Sequence, residues 1–283
     1  MKSVISIQPH LVCGHAGNSS TIFPVQRMGV ETWAINSLQC SDVSEHPVSF
    51  SCPAEIVSEL VQALDRNERL NHCNAIISGY QSSLAHNQAV YQAVQLVKSH
   101  SVGALYVCHP SLNGESEAHP TDPEAHRYIV EQLMPLADVL ICQPETLQQF
   151  TGTVIKDEQD AAHACQQALA KGPKIVLVSK VPCVADGSIS MMLATPKNLY
   201  SVQRPWLEFA KEPVGVDDLL TAVYSACLVN RMSPVVALRH TNNALYGVLE
   251  TTLDSGSDVL QTISAQYEFV EPTHDFAVLK HVF

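Results

Sequence analysis

At 283 residues, with 46% hydrophobic and only 16% charged residues, the chain can bury a full core as one large domain or two modest ones, which excludes a mostly disordered protein. A formal charge of −12 disfavours nucleic acid or an anionic membrane as a general partner, although a helix N-terminus can still hold a phosphate locally. No apolar run approaches the ~20 residues that cross a bilayer, and residues 1–8 are too short an apolar run for a signal peptide, so the expected location is the cytoplasm.

Residues 4–8 are apolar and β-branched and predict a strand. Gly14-His15-Ala16-Gly17-Asn18 follows as a turn, with Asn18 or Ser19 capping a helix to about residue 28. Residues 31–36 are a second strand and 48–51 a short third one. Pro53 suits the first position of a helix that carries Ile56, Leu60, Val61 and Leu64 on one face. Next come a strand at 75–79, a helix at 85–98, a strand at 104–108 and a long loop at 109–122. A helix at 123–136, a strand at 139–142, a helix at 157–171 and a very apolar strand at 175–178 continue the pattern. Near-continuous apolar strands alternating with helices predict an α/β fold, a central mainly parallel sheet with helices on both faces. Beyond Ser179, residues 188–194 and 199–202 read as an antiparallel pair, and helices at about 216–231 and 234–252 close the chain. No linker, charge block or internal repeat interrupts it, so residues 1–283 are expected to form a single domain.

The nine cysteines are an odd number without a Cys-x-x-Cys pair, which predicts buried free thiols rather than disulfides or a zinc knot. Among the thirteen histidines, His10-x-x-Cys13-x-His15, His72-Cys73 and Cys108-His109 come closest to ligand spacing. None has a second pair at a recognised interval, so no structural metal is expected.

In an open parallel sheet, ligands sit beyond the carboxyl ends of the strands. That places Pro9, Asn36, Tyr80, His109, Gln143, Ser179 and the turn at 215–218 near a site. The turn is the sharpest of these. Pro213-Val214-Gly215-Val216-Asp217-Asp218 opens a helical pattern of Leu219, Val223, Ala226 and Cys227. Its backbone N–H groups can hold phosphate oxygens, and Asp218 can take a proton from a substrate hydroxyl. On spacing alone, the plainer reading is that Asp217 and Asp218 simply complement the helix dipole.

Ordered matches run along nearly the whole chain: Gln8-Pro9-His10-Leu11-Val12-Cys13-Gly14-His15-Ala16-Gly17-Asn18, Phe23-Pro24, Trp33-Ala34-Ile35-Asn36 and Ser78-Gly79-Tyr80. Gly172-Pro173-Lys174-Ile175-Val176-Leu177-Val178, Arg204-Pro205-x-x-x-Phe209, Pro213-Val214-Gly215-Val216-x-Asp218 and Phe276 continue them. In these segments the sequence resembles the bacterial pyridoxal kinase group (the PdxY-like branch). The resemblance implies a ribokinase-like fold, ATP and Mg²⁺ as cofactors, a homodimer, and phosphorylation of the 5′-hydroxyl of a B6 vitamer (pyridoxal, pyridoxine or pyridoxamine). By the same resemblance Asp218 is the catalytic base, and Gly215, Val216 and Asp217 form the anion hole. Pro9, Ser44 and Tyr80 fall on the substrate side, with Pro9 where the family has a serine. His109, Gln143 and Thr146 fall on the nucleotide side, and Glu145 is the candidate metal ligand. Apart from the resemblance, Ser179 and Lys180 follow the strand ending at Val178 and are placed to reach a nucleotide, with a merely solvated lysine as the plainer reading of Lys180.

Three positions depart from the family pattern. His109 stands where the family has an aspartate, and an imidazole is a poor partner for hard Mg²⁺. Gln143-Pro144-Glu145-Thr146 replaces Asn-x-x-Glu, moving the acid by one position. Asp217 replaces the second glycine of Gly-x-Gly-Asp. A carboxylate about 4 Å from a phosphate charge costs about 4 kcal/mol at an effective dielectric of 20, which is roughly a thousandfold in rate. A side chain here is also restricted if the position needs φ > 0. The residues therefore leave two readings open: a working kinase, or an impaired relative that binds a vitamer or its phosphate as carrier or regulator. A kinase for another small hydroxylated compound, such as a hydroxymethylpyrimidine or a sugar, is a third.

Overall fold

Strands that are apolar at every position must bury both faces, and successive side chains point to opposite sides. The computed structural model describes residues 1–44, 47–112, 122–182 and 187–281. Its strands are β1 (Ser3–Leu11), β2 (Glu31–Cys40), β3 (Ser49–Ser51), β4 (Cys73–Ser78), β5 (Leu105–Cys108), β6 (Val139–Cys142), β7 (Ile175–Val181), β8 (Ser188–Thr195), β9 (Asn198–Pro205) and β10 (Val278–His281). They form one sheet in the order β10-β9-β8-β7-β6-β5-β4-β1-β2-β3. Strands β1, β2, β4, β5, β6 and β7 pair in parallel, while β3 and the β7–β10 edge pair antiparallel.

The helices are α1 (Asn18–Arg27), α2 (Ala54–Arg66), α3 (Leu84–His100), α4 (Pro123–Tyr128), α5 (Met134–Leu136), α6 (Pro144–Thr151), α7 (Glu158–Ala170), α8 (Val216–Val229) and α9 (Pro234–Asp254). Alternation within each strand splits the core in two. Ile5, Ile76, Tyr106, Leu140 and Val176 face α2, α3, α6 and α7. Val4, Ile77, Val107, Ile141 and Leu177 face α1, α8 and α9. Both faces are thus covered, as the strand composition requires. Among the described residues no helix is long and apolar enough to cross a membrane.

Several boundaries differ from expectation. β1 continues through Pro9 to Leu11 because the register shifts between Gln8 and His10, and at such a shift the missing proline N–H interrupts no regular ladder. β2 runs on to Cys40 rather than ending at residue 36. Pro53 is the residue before α2 rather than its first helical one. The helix expected at 123–136 is α4 and α5 joined by a π turn, Ile129–Leu133. α6 and β10 were not anticipated at all. Most of the expected loop at 109–122 lies outside the described residues, as does Cys183. The eight described cysteines are free, six of them buried, with Cys13 exposed and Cys52 between. Burial pushes the Cys73 and Cys108 thiols up to about 11, so neither is a thiolate at neutral pH.

Candidate active site

β1 has β2 on one side and β4 on the other, which makes the carboxyl ends of β1 and β4 the switch point of the sheet. A cavity of about 550 Å³ opens there, within the size range of small-molecule sites. Its wall draws Pro9 and Leu11 from β1, Tyr80 from beyond β4, His109 from beyond β5, Gln143 from beyond β6, and the start of α8.

The α8 turn is held by the loop that follows β1. Gly215 has φ 84°, and a Cβ there would stand 1.8 Å from the carbonyl oxygen of His15, so only glycine fits. Gly17, at φ 55°, likewise has no room for a Cβ, which would stand 2.3 Å from the Pro9 carbonyl oxygen. Its N–H donates to Oδ2 of Asp218 at 2.7 Å, and the Ser20 hydroxyl donates to the Gly215 carbonyl at 3.1 Å. These contacts fix the N-terminus of α8, whose first N–H groups have no acceptor within the helix and carry its positive end. Gly215, Val216, Asp217 and Asp218 all line the cavity.

The two acids of the turn are treated differently. Asp218 faces the cavity with Oδ1 3.3 Å from Nδ1 of His109, both side chains being less than one-fifth exposed. Asp217 takes helical backbone, so the expected φ restriction does not apply; the positive φ falls on Gly215. Its Oδ2 accepts from Nε2 of Gln143 at 2.5 Å, and its Oδ1 is buried without a hydrogen-bond partner among the described residues. Two departures from the family pattern, Gln143 and Asp217, are therefore bonded to each other.

The remaining candidates divide. Thr146 is buried in the cavity wall, and Ser44 and Tyr80 line it. Tyr80 is half-buried, which pushes its phenol pKa up. Lys180 lines the cavity at φ 53° in the irregular end of β7 and pairs with Glu212 at 3.0 Å. Ser179 lies instead in a smaller cavity behind the turn. Asn36 is drawn away because β2 continues past it; it accepts from Nδ2 of Asn18 at 2.8 Å. Glu145 is the candidate on the metal side. One helical step of about 100° from Thr146 leaves Glu145 exposed and outside the cavity. Among the described residues no group of three or more His, Cys, Asp or Glu could hold a metal ion.

Sequence reasoning missed Leu38, Cys40 and Asp42, which complete the wall on the β2 side. Hydrogen bonds from the Ser44 hydroxyl and N–H hold the Asp42 carboxyl below its ordinary range. Period-two spacing of Leu38 and Cys40 after Ile35 and Ser37 was the available signal that β2 is long.

Residues 21–262 match the family model described as phosphomethylpyrimidine kinase. A pyridoxal kinase PdxY of Vibrio parahaemolyticus is 42% identical over 281 residues, covering 98% of this chain and 97% of the relative. The chain belongs to the pyridoxal kinase family. Its architecture is that of family members far apart in sequence. The pyridoxal kinase of Leishmania donovani in complex with ADP and ginkgotoxin superposes with a TM-score of 0.90 at 20% identity, covering 100% of both chains. The same enzyme in complex with ADP and pyridoxine superposes at 0.88 with 19% identity, covering 99% of both. The ribokinase-like α/β fold expected from the resemblance is therefore the fold of this chain.

Proposed function

We propose that the chain, working as one domain, is an ATP-dependent kinase of the 5′-hydroxyl of pyridoxal-type vitamers. The observation that carries this reading is the α8 turn: a glycine-only N-terminus that offers backbone donors, with a cavity-facing carboxylate, Asp218, fixed beside it. Asp218 takes the proton of the substrate hydroxyl, and the N–H groups at 215–218 stabilise charge on the phosphoryl group in flight. Pro9, Ser44 and Tyr80 belong to the vitamer side. His109, Gln143, Thr146 and Lys180 belong to the nucleotide side, and Ser179 supports them from behind the turn.

Among the described residues no carboxylate cage for Mg²⁺ forms, since Glu145 lies outside the cavity and Gln143 occupies Asp217. The metal is therefore read as part of the substrate, entering on the phosphates of ATP and keeping much of its own hydration. Exposed Phe50, Ile56 and Leu60 on β3 and α2 support a homodimer, and free cysteines suit the cytoplasm. The carrier or regulator reading gains nothing from this geometry, in which Asp218 lines the cavity beside a glycine-led helix start.

The test is phosphorylation of pyridoxal with Mg-ATP by the purified chain and by Asp218→Asn. Turnover that falls by about 10²–10⁴-fold in the variant, with pyridoxal binding kept, is expected. No turnover in the unmodified chain, with pyridoxal still bound, would overturn the kinase reading.

A further inference from the structure

Behind the phosphate-holding turn, α8, α9 and β7–β9 enclose a second cavity of about 10 Å³, room for one water. Its polar lining is Ser179, Lys180, Ser190, Arg204, Asp217 and Asn242. Four of these bring buried atoms with no hydrogen-bond partner among the described residues: Ser179 Oγ, Ser190 Oγ, Asp217 Oδ1, and both Nδ2 and Oδ1 of Asn242. So many unmatched polar atoms around one small space mark a polar chamber rather than ordinary core.

Arg204 gives the chamber its charge. The side chain is buried, and its hydrogen bond to the Pro205 carbonyl is long, at 3.5 Å. A guanidinium remains a cation at neutral pH, and a buried cation needs an opposite charge near it. Asp217 is the carboxylate lining the same chamber. Burial pushes the Arg204 pKa down to about 10, while Tyr246 and Asp217 draw it back up.

We propose that Arg204 is a positioning residue: across the small chamber it neutralises Asp217, which lines both this chamber and the main cavity, and so limits the charge that carboxylate presents to the phosphate-holding face of α8. The proposal rests on the kinase reading of the turn. Arg204 lies in a segment that matches the family pattern, and Asp217 is the departure whose charge it meets. Gln143 holds one oxygen from the cavity side, and Arg204 balances the charge from behind. A carboxylate so compensated presents little net charge to an incoming phosphate.

ADP binding by calorimetry tests this without turnover. Arg204→Met is expected to weaken ADP binding by about tenfold or more, and Arg204→Lys, which keeps the charge, by less than about threefold. Adding Asp217→Asn to Arg204→Met should recover about fivefold or more, because no charge is then left unbalanced. A double variant that binds no better than Arg204→Met overturns the proposal, as does a lysine variant as weak as the methionine one. If Arg204→Met does not fold, folding restored by Asp217→Asn supports the pairing and continued misfolding overturns it. If the unmodified chain binds no ADP, the kinase reading of the turn fails on its own. The same pairing is then read in thermal melts of the two single variants and the double. A double variant that loses less than the sum of the singles supports it, and strict additivity overturns it.

Discussion

His109 meets Asp218 across the cavity mouth: Nδ1 of the imidazole stands 3.3 Å from Oδ1 of the carboxylate, whose other oxygen accepts the Gly17 N–H. The base of the proposed reaction is thus fixed by one hydrogen bond, from Gly17, and faced on its other oxygen by an imidazole that the family pattern does not contain. Replacing His109 by leucine removes that contact while keeping a side chain of moderate size. Loss of a partner to a largely buried charged group costs about 1–3 kcal/mol, so kcat/KM for pyridoxal is expected to fall about 5- to 100-fold. Steady-state kinetics of His109→Leu check this, and an unchanged kcat/KM would show that the imidazole does not hold the base.

Gly215→Ala places a methyl group 1.8 Å from the His15 carbonyl oxygen, at a φ of 84°. Backbone strain of about 1–3 kcal/mol adds to the steric overlap, and the β1 loop must separate from α8. The expected result is a lower melting temperature together with kinase activity reduced by more than about a hundredfold, because the Gly17 bond to Asp218 is broken. A thermal melt and an activity assay on the same preparation decide it.

Asp217→Gly tests how much repulsion the second acid exerts. Its carboxylate is bonded to Gln143 and partly buried, so the thousandfold penalty that an unscreened charge would impose is absent. The substitution is expected to change kcat/KM for ATP by less than about tenfold, and to lower stability by more than the about 1 kcal/mol that a glycine in the first helical turn costs, because the buried Arg204 loses the carboxylate that shares its chamber. A gain approaching a thousandfold would mean that the carboxylate faces the phosphates directly.

Asp138 supplies a stability prediction away from the site. Burial alone would raise its pKa, but hydrogen bonds from Lys174 and Lys98 and from the Tyr106 N–H outweigh it and leave the carboxyl below its ordinary value. A depressed folded-state pKa stabilises the fold above the unfolded pKa of about 3.9, and that contribution is lost as pH falls through the folded value. Asp138→Asn should therefore cost about 2 kcal/mol at pH 7, discounted for the exposure of Lys174. Denaturant melts should show the gap between the two proteins narrowing below about pH 4.

Much of the frame was legible because it rests on local periodicity. The apolar runs of β4 to β7 and the helical patterns of α7, α8 and α9 follow directly from neighbouring residues. α6 was missed although Pro144 at its start and Gly152 at its end are both helix-boundary signals. β10 was missed because four residues far from their partner β9 carry little pattern of their own.

The amino-acid sequence by itself determined the family, the alternation of strands and helices, and the chemical inventory of the site: a glycine-led turn, Asp218, and three departures from the family pattern. Those properties depend on residue identity and short-range order. The tertiary structure alone decided which way the departing side chains face. It bonded Asp217 to Gln143, brought Asp217 and Arg204 to one chamber, set His109 against Asp218, and turned Glu145 outward. His109 and Asp218 are 109 positions apart by their own numbers, and their contact exists only because β5 ends and α8 begins at the same edge of one sheet. Electrostatic energy depends on distance and burial, and neither is written in the order of residues along the chain.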